Sequence, residues 1–153
     1  MNEVTFSTDS AVSTQDLAAR VGAALRGGEV IELISDVGGG KTEFVRGLAR
    51  GMGSQDAVMS PTFTISRIYR GEGLSLHHFD FYRLNEPGVM LEELSECIDD
   101  NEAAVAVEWS DVVSGVLPQD RLQVRIKPTG ENDRDINMIA KGPEHIKLIE
   151  SLV

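Results

Sequence analysis

The feature that most constrains this chain is a glycine-rich segment, Ser35-Asp-Val-Gly-Gly-Gly-Lys-Thr42, which lies between two apolar runs. The preceding run, Val30–Ile34, is typical of a buried strand. In the following run Phe44, Val45 and Leu48 recur at helical spacing. A strand, a glycine loop and a helix in this order are the pattern of a phosphate-binding loop. The segment therefore predicts an α/β protein that binds a nucleotide.

The residue types in this loop suit the phosphates of ATP or ADP. Glycines allow the backbone to turn its N–H groups toward an anion, and the following helix directs its positive end at the same point. The ammonium of Lys41 is expected at the β- and γ-phosphates, and the hydroxyl of Thr42 at Mg²⁺. Glu43 suits the dipole of the first helical turn. The other expected nucleotide-binding residues are Asp36, Val37, Gly38, Gly39 and Gly40.

Two acidic residues come directly after predicted strands. Asp80 follows the run Leu74–Phe79, and Glu108 follows the buried run Ala103–Val107. Ligands of open α/β sheets bind at the carboxyl ends of the strands, where both acids would emerge. ATP hydrolysis needs a carboxylate for magnesium and a group that orients the attacking water. We therefore predict Glu108 and Thr42 as metal ligands, and Lys41, Asp80 and Glu108 as catalytic residues.

The remaining patterns complete a single P-loop nucleotide-binding domain over residues 1–153, with a mixed parallel and antiparallel sheet flanked by helices. A short strand at Val4–Phe6 precedes a helix that Ser13 or Thr14 is expected to cap. A hairpin joins two β-rich runs around Arg70–Gly73. The other predicted elements are a helix at Met90–Ile98, strands at Leu122–Ile126 and Ile136–Ala140, and a helix at Glu144–Val153.

The charge and residue composition exclude several classes of function and predict the cellular compartment. The net charge is −11, and no stretch of Lys and Arg is dense enough to follow a phosphate backbone, so direct binding of nucleic acid is disfavoured. The single cysteine, Cys97, has no partner for a disulfide and is expected to be buried. No signal peptide and no membrane-spanning run is visible, which predicts a cytoplasmic protein. His77 and His78 would face opposite ways in a strand and are expected to serve packing.

A resemblance to a known family rests on five segments in order. They are Asp36-Val-Gly-Gly-Gly-Lys-Thr42, Ser60-Pro-Thr-Phe-Thr64, His78-Phe-Asp-Phe-Tyr-Arg-Leu84, Glu108-Trp109 and Leu117-Pro118. In order and approximate spacing they resemble the TsaE family of tRNA modification. The resemblance covers nearly the whole chain and is weakest over residues 130–153.

The resemblance implies an ATPase that assists the complex making threonylcarbamoyladenosine in tRNA, and that contacts tRNA only indirectly, through TsaD-like and TsaB-like partners. Hydrolysis by the isolated protein is expected to be slow and to rise with the partners. Carried over by position, Asp80 and Thr62 serve hydrolysis or a switch-like loop, and Thr14 and Arg134 lie near the adenosine. Trp109 has two open interpretations, simple packing or a partner-facing role.

Other functions of a phosphate loop were weighed as alternatives. A small-molecule kinase usually brings a lid of arginines over the phosphates, and only scattered Arg67, Arg70 and Arg83 follow this loop. A GTPase would carry a guanine-reading N-K-x-D, and Asn132-Asp-Arg-Asp135 lacks its lysine. A nucleotide-sensing adaptor without turnover stays open, because Ser35 stands where the general pattern has a glycine.

Overall fold

The computed structural model describes residues 2–35, 40–59, 61, 65–82, 88–113 and 115–153. Within these residues seven strands and four α-helices alternate along the chain. The strands are β1 Glu3–Thr8, β2 Val30–Ile34, β3 Ser66–Arg70, β4 Ser75–Asp80, β5 Ala103–Glu108, β6 Leu122–Pro128 and β7 Arg134–Ala140. The helices are α1 Ala11–Ala24, α2 Lys41–Gly51, α3 Gly88–Ile98 and α4 Pro143–Glu150, with a short 3-10 helix at Ser110–Val113.

All seven strands form one sheet in the order β1-β7-β6-β2-β5-β4-β3. The four inner strands β6, β2, β5 and β4 run parallel, so their carboxyl ends meet at one edge. The outer strands β1, β7 and β3 pair antiparallel with their neighbours. This arrangement confirms the predicted α/β class with a mixed sheet.

The sheet separates two apolar cores. Along β2, Ile31 and Leu33 belong to the larger core beneath α1, α2 and α4, whereas Val30 belongs to the core beneath α3. Successive side chains of a strand point to opposite faces, so these residues define an α1–α2 face and an α3 face. Along β5, Glu108 alternates with residues of the α3 core and therefore lies on the α1–α2 face.

Helices α1 and α2 approach each other closely because glycines line their contact. A Cβ added to Gly47 would lie 2.3 Å from the carbonyl oxygen of Gln15, and one added to Gly51 would lie 2.1 Å from that of Ala19. Such distances are far below van der Waals contact, so only glycine fits at these points. The close packing fixes the position of α2, and with it the helix start that carries Lys41.

Several predicted elements are confirmed, and some boundaries are corrected. The prediction that Ser13 or Thr14 caps α1 is wrong: Ser10 is the N-cap, and Ser13 closes a capping box with it. Helix α4 ends at Glu150, before the predicted Val153. Cys97 is buried as predicted, and burial raises the pKa of its thiol to about 11.

Among the residues that the structure describes, no helix is long and apolar enough to cross a membrane.

Candidate functional site

Lys41 begins α2 directly after the glycine loop. Its N-cap, Gly40, has a φ of 109°, a conformation that strongly favours glycine. The Lys41 side chain is 7 % exposed, and its Nζ donates a 2.9 Å hydrogen bond to the backbone oxygen of Ser35. The ammonium is therefore held where the chain leaves β2. The loop residues Asp36, Val37, Gly38 and Gly39 lie outside the described residues, as does Thr62.

Glu108 is the last residue of β5 and lies beside this ammonium. Its side chain is buried, and its Oε1 is 3.9 Å from Lys41 Nζ. Its Oε2 forms a short hydrogen bond with Nε2 of His78, which is fully buried on the neighbouring strand β4. The structure thus joins a predicted phosphate-binding lysine and a predicted metal-binding carboxylate, together with a histidine that was expected to serve packing.

The sequence did contain a signal for His78. It stands two residues before Asp80, and residues i and i+2 of a strand share a face. A predicted catalytic Asp80 therefore implied that His78 points to the same side of the sheet. His77 faces the opposite way, as the same alternation predicts, because its Nδ1 contacts Cys97 on the α3 face.

Asp80 ends β4 in direct register with Glu108. Its side chain is 3 % exposed, and its Oδ1 accepts a 3.0 Å hydrogen bond from the backbone N–H of Tyr82. Its own N–H donates to the carbonyl of Ile65 at 2.8 Å. Both predicted acids therefore emerge side by side at the carboxyl edge of the parallel strands, in fixed orientations.

Trp109 forms a wall of the same site. Its φ of 55° is unusual for a non-glycine residue, and it turns the chain sharply after Glu108. The Nζ of Lys41 lies 4.4 Å from the centroid of its ring, within the range of a cation–π interaction. The ring of Tyr82, which is half exposed, packs at 4.9 Å between centroids. Trp109 therefore packs beside the site through Lys41 and Tyr82, and its partner-facing role stays a prediction.

Predicted nucleotide-binding residues from distant parts of the chain surround one small cavity. Thr14, Gly40, Glu43 and Arg134 line it together with Ser10, Ala11 and Asn132. Thr14 is buried, and its hydroxyl is 2.7 Å from that of Thr8. Arg134 donates to carbonyl groups of the turn between β6 and β7, the nearest being that of Asp133 at 2.8 Å. The cavity lies on the side of Gly40 that faces α1 and β7.

The carboxylate of Glu43 is engaged by its neighbours. It accepts short hydrogen bonds from Gln15 on α1 and from Arg46 one turn later in α2. The charge of Arg46 offsets that of Glu43, which reduces the repulsion that a carboxylate in the first helical turn would exert on phosphates. Thr42, the other predicted metal ligand, precedes Glu43 in the same turn.

The described residues contain no cluster of three or more His, Cys, Asp or Glu side chains arranged to hold a metal ion. Magnesium at nucleotide sites takes one or two protein ligands and completes its shell with phosphate and water oxygens. Glu108 and Thr42 suit that mode of binding, because each offers one hard oxygen beside the start of α2.

Comparison with known proteins agrees with this architecture. The family described as "Threonylcarbamoyl adenosine biosynthesis protein TsaE" matches residues 8–136. A relative from Bacillus subtilis (strain 168), named tRNA threonylcarbamoyladenosine biosynthesis protein TsaE, is 36% identical over 152 residues, which are 99% of this chain and 95% of the relative. A relative of the same name from Streptomyces coelicolor is 34% identical over 134 residues, 86% of each chain.

A solved structure gives the same result. The crystal structure of YdiB from Bacillus subtilis superimposes with a TM-score of 0.82 at 32% sequence identity, covering 98% of this chain and 93% of that one. Sequence, fold and the order of motifs therefore agree, and the chain belongs to the TsaE family, whose members act in the biosynthesis of threonylcarbamoyladenosine in tRNA.

Proposed function

We propose that this protein binds ATP with magnesium and hydrolyses it slowly on its own and faster with its partners, in support of threonylcarbamoyladenosine synthesis. The observation that carries the proposal is the buried pair at the start of α2, where Lys41 Nζ lies 3.9 Å from Glu108 Oε1. A buried ammonium and a buried carboxylate at a helix N-terminus suit a polyphosphate and its metal ion.

Lys41 would bind the β- and γ-phosphates. Its Nζ is already held at the end of β2 by the carbonyl of Ser35, so little conformational entropy is lost when phosphate oxygens approach. The N-terminal end of α2 adds a partial positive charge at the same point. Trp109 covers one side of the ammonium and limits its contact with water.

Thr42 and Glu108 would hold the magnesium ion, which neutralises charge on the phosphate oxygens when it is bound. Asp80, one strand from Glu108, would accept a hydrogen bond from the attacking water and orient its oxygen toward the γ-phosphorus. A bond forms between that oxygen and phosphorus while the bond from phosphorus to the β-phosphate oxygen breaks. One proton of the water passes to Asp80 and on to solvent, the other stays on the phosphate, and the products are ADP and phosphate. Thr14 and Arg134 would contact the adenosine, and their place in one cavity with Gly40 supports this role.

The partners proposed for this role are TsaD-like and TsaB-like proteins in the cytoplasm. The net charge of −11 supports a subunit that reaches tRNA only through those partners. Recovery of such proteins in a pull-down with nucleotide present, together with turnover that rises when they are added, would support this assignment. Phosphorylation of a metabolite without any partner would favour a small-molecule kinase, and binding without turnover a nucleotide-sensing adaptor.

Calorimetric titration with ATP and Mg²⁺ tests the core of the proposal. We expect Lys41→Met to weaken ATP binding at least about 100-fold, since it removes the charge that meets two phosphates. Lys147→Met is the matched control, because Lys147 is an exposed residue of α4 that forms an ion pair with Glu144, far along the chain from the loop. Thermal unfolding shows whether Lys41→Met is folded. If the folded variant binds ATP as tightly as the wild type, then the glycine loop is not the ATP-binding site.

A further inference from the structure

His78 is buried in a position that packing alone does not explain. Its side chain has no exposed surface, and it lies on the α1–α2 face of β4 between Leu76 and Asp80. The centroid of the Tyr69 ring lies 6.1 Å from the centroid of the imidazole. Its Nε2 is bonded to Glu108, whereas its Nδ1 is buried with no hydrogen-bond partner in the described part of the chain.

An unpaired buried nitrogen destabilises a fold. Leu76 and Ala106, two neighbours of His78 on this face of the sheet, are apolar and carry no such cost. The imidazole at position 78 therefore has a use that an apolar side chain cannot serve. The hydrogen bond between its Nε2 and Oε2 of Glu108 indicates that role.

The two carboxylate oxygens of Glu108 have different neighbours. His78 occupies Oε2 from within the sheet, and Oε1 is directed toward Lys41 Nζ at the start of α2. A carboxylate at the end of a strand can otherwise rotate about its last bond, because that torsion has a broad energy minimum. The bond to His78 removes this freedom and leaves Oε1 facing Lys41 at the start of α2.

We propose that His78 is a positioning residue for the magnesium-binding carboxylate of Glu108, an inference that rests on the proposed function. His78 does not touch the nucleotide or the metal ion. It fixes the orientation of the ligand, in the way that hydrogen bonds behind metal ligands generally set their direction and basicity. Loss of this bond lowers the affinity for magnesium and leaves contacts between protein and phosphates intact.

The chain supplies a matched control at the next position. His77 belongs to the same strand but faces α3, where its Nδ1 is 3.1 Å from the Sγ of Cys97. Identical substitutions at positions 77 and 78 therefore disturb the same strand on opposite faces. Only those at position 78 change the partner of Glu108.

The test measures magnesium and nucleotide binding separately. His78→Phe keeps the volume of the ring and removes the donor, whereas His78→Gln places an amide N–H near the position of Nε2. With ADP present, we expect His78→Phe to raise the apparent Kd for Mg²⁺ about 10- to 100-fold. We expect His78→Gln to restore most of the loss, and His77→Phe and His77→Gln to change that Kd by less than about threefold.

The binding of ADP in EDTA gives the second readout. It should stay within about threefold of the wild type in all four variants, because no residue that meets the phosphates is altered. An unchanged magnesium Kd in folded His78→Phe overturns the inference. If His78→Phe fails to fold, His78→Asn replaces it, since that amide is too short to reach Glu108, and equal magnesium affinity of the Asn and Gln variants then overturns the inference.

The same binding measurements distinguish a failure of the proposed function from a failure of the inference about His78. If the wild type binds ADP equally well with magnesium and with EDTA, then the metal site of Thr42 and Glu108 is wrong, and the inference falls with it. If the wild type shows the magnesium dependence and His78→Phe keeps all of it, only the role of His78 is wrong.

Discussion

Two buried glutamates on adjacent strands of the sheet contrast in how many donors surround them. Glu108 ends β5 on the α1–α2 face, and Glu32 lies in β2 on the α3 face. Both are nearly inaccessible, at 3 % and 6 % exposure. Among the described residues, the Glu108 carboxylate has one hydrogen-bond partner, His78, with the Lys41 ammonium 3.9 Å from its Oε1. The Glu32 carboxylate accepts hydrogen bonds from three side chains.

The three donors to Glu32 account for both of its oxygens. Ser110 donates to Oε2, and Arg121 Nε and Gln123 Nε2 donate to Oε1 at 3.0 and 2.9 Å. These bonds tie the 3-10 helix and the start of β6 to the centre of the sheet. A carboxylate whose oxygens are occupied by protein donors has little capacity for a ligand, so Glu32 is structural.

Glu108 keeps the capacity that Glu32 lacks. Its Oε1 meets Lys41 at a distance longer than a hydrogen bond, at the edge of the sheet where the glycine loop begins. Burial alone therefore does not identify a functional acid. The unused acceptor capacity of a buried carboxylate distinguishes the two, and the same substitution made at both positions should separate stability from chemistry.

The largest expected effect is the loss of stability in Glu32→Gln. The substitution keeps the volume but removes the charge, and it sets an amide NH₂ against donors from Ser110, Arg121 or Gln123. Because hydrogen bonds to a buried charge are lost together, we expect the free energy of unfolding to fall by about 3 kcal/mol. Urea denaturation measures it.

Nucleotide binding provides the control for that prediction. Glu32 lies on the face of β2 opposite to Lys41 and Glu108, so the affinity of folded Glu32→Gln for ATP should stay close to that of the wild type. A large loss of affinity without loss of stability would reverse the assignment of the two glutamates.

A smaller effect is expected for Glu108→Gln, and it concerns turnover. The amide can still accept a hydrogen bond from His78 but is a poor ligand for magnesium. We expect hydrolysis to slow about 30-fold, equivalent to ~2 kcal/mol, in an assay of phosphate release with partners present. The free energy of unfolding should fall by less than in Glu32→Gln, because Glu108 has fewer protein donors than Glu32, although the substitution also removes the charge opposite the Lys41 ammonium. Unchanged turnover would exclude Glu108 from the metal site.

The sequence predicted one of these two regions and missed the other. The glycine-rich segment, the strand before it and the acids that end β4 and β5 are local patterns, because each is recognised from residues that are neighbours in the sequence. The donors to Glu32 are separated from it by 78, 89 and 91 residues, so no periodicity or spacing links them. The bond between His78 and Glu108 likewise depends on β4 pairing with β5, which the order of elements suggests but does not fix.

The sequence patterns predicted a strongly buried strand correctly. They did not predict the first residue of a helix, which depends on backbone geometry. The apolar run Val30–Ile34 allowed one interpretation, since a fully buried strand needs apolar residues on both faces. The start of α1 was predicted at Ser13 or Thr14, although Ser10 is equally suited to a cap by residue type. Ser10 takes that role because β1 extends to Thr8 and leaves only a short turn before the helix.

The smallest of the expected effects is the acid dependence of stability that Glu32 contributes. Burial raises the pKa of its carboxyl, but the hydrogen bonds from Ser110, Gln123 and Arg121, with the charge of Arg121, lower it more, so the folded pKa lies below the usual 4.5. The stabilisation by the Glu32 charge is thus complete above pH 4.5 and is lost as the pH falls through the pKa of the folded state.

We expect the difference in unfolding free energy between the wild type and Glu32→Gln to be constant from pH 7 to pH 5 and to shrink below that. Other carboxyl groups, such as that of Asp120, titrate in both proteins and cancel in this difference. A difference that stayed constant down to pH 3 would show that Glu32 stabilises the fold through shape and not through charge, and the contrast with Glu108 would then rest on position alone.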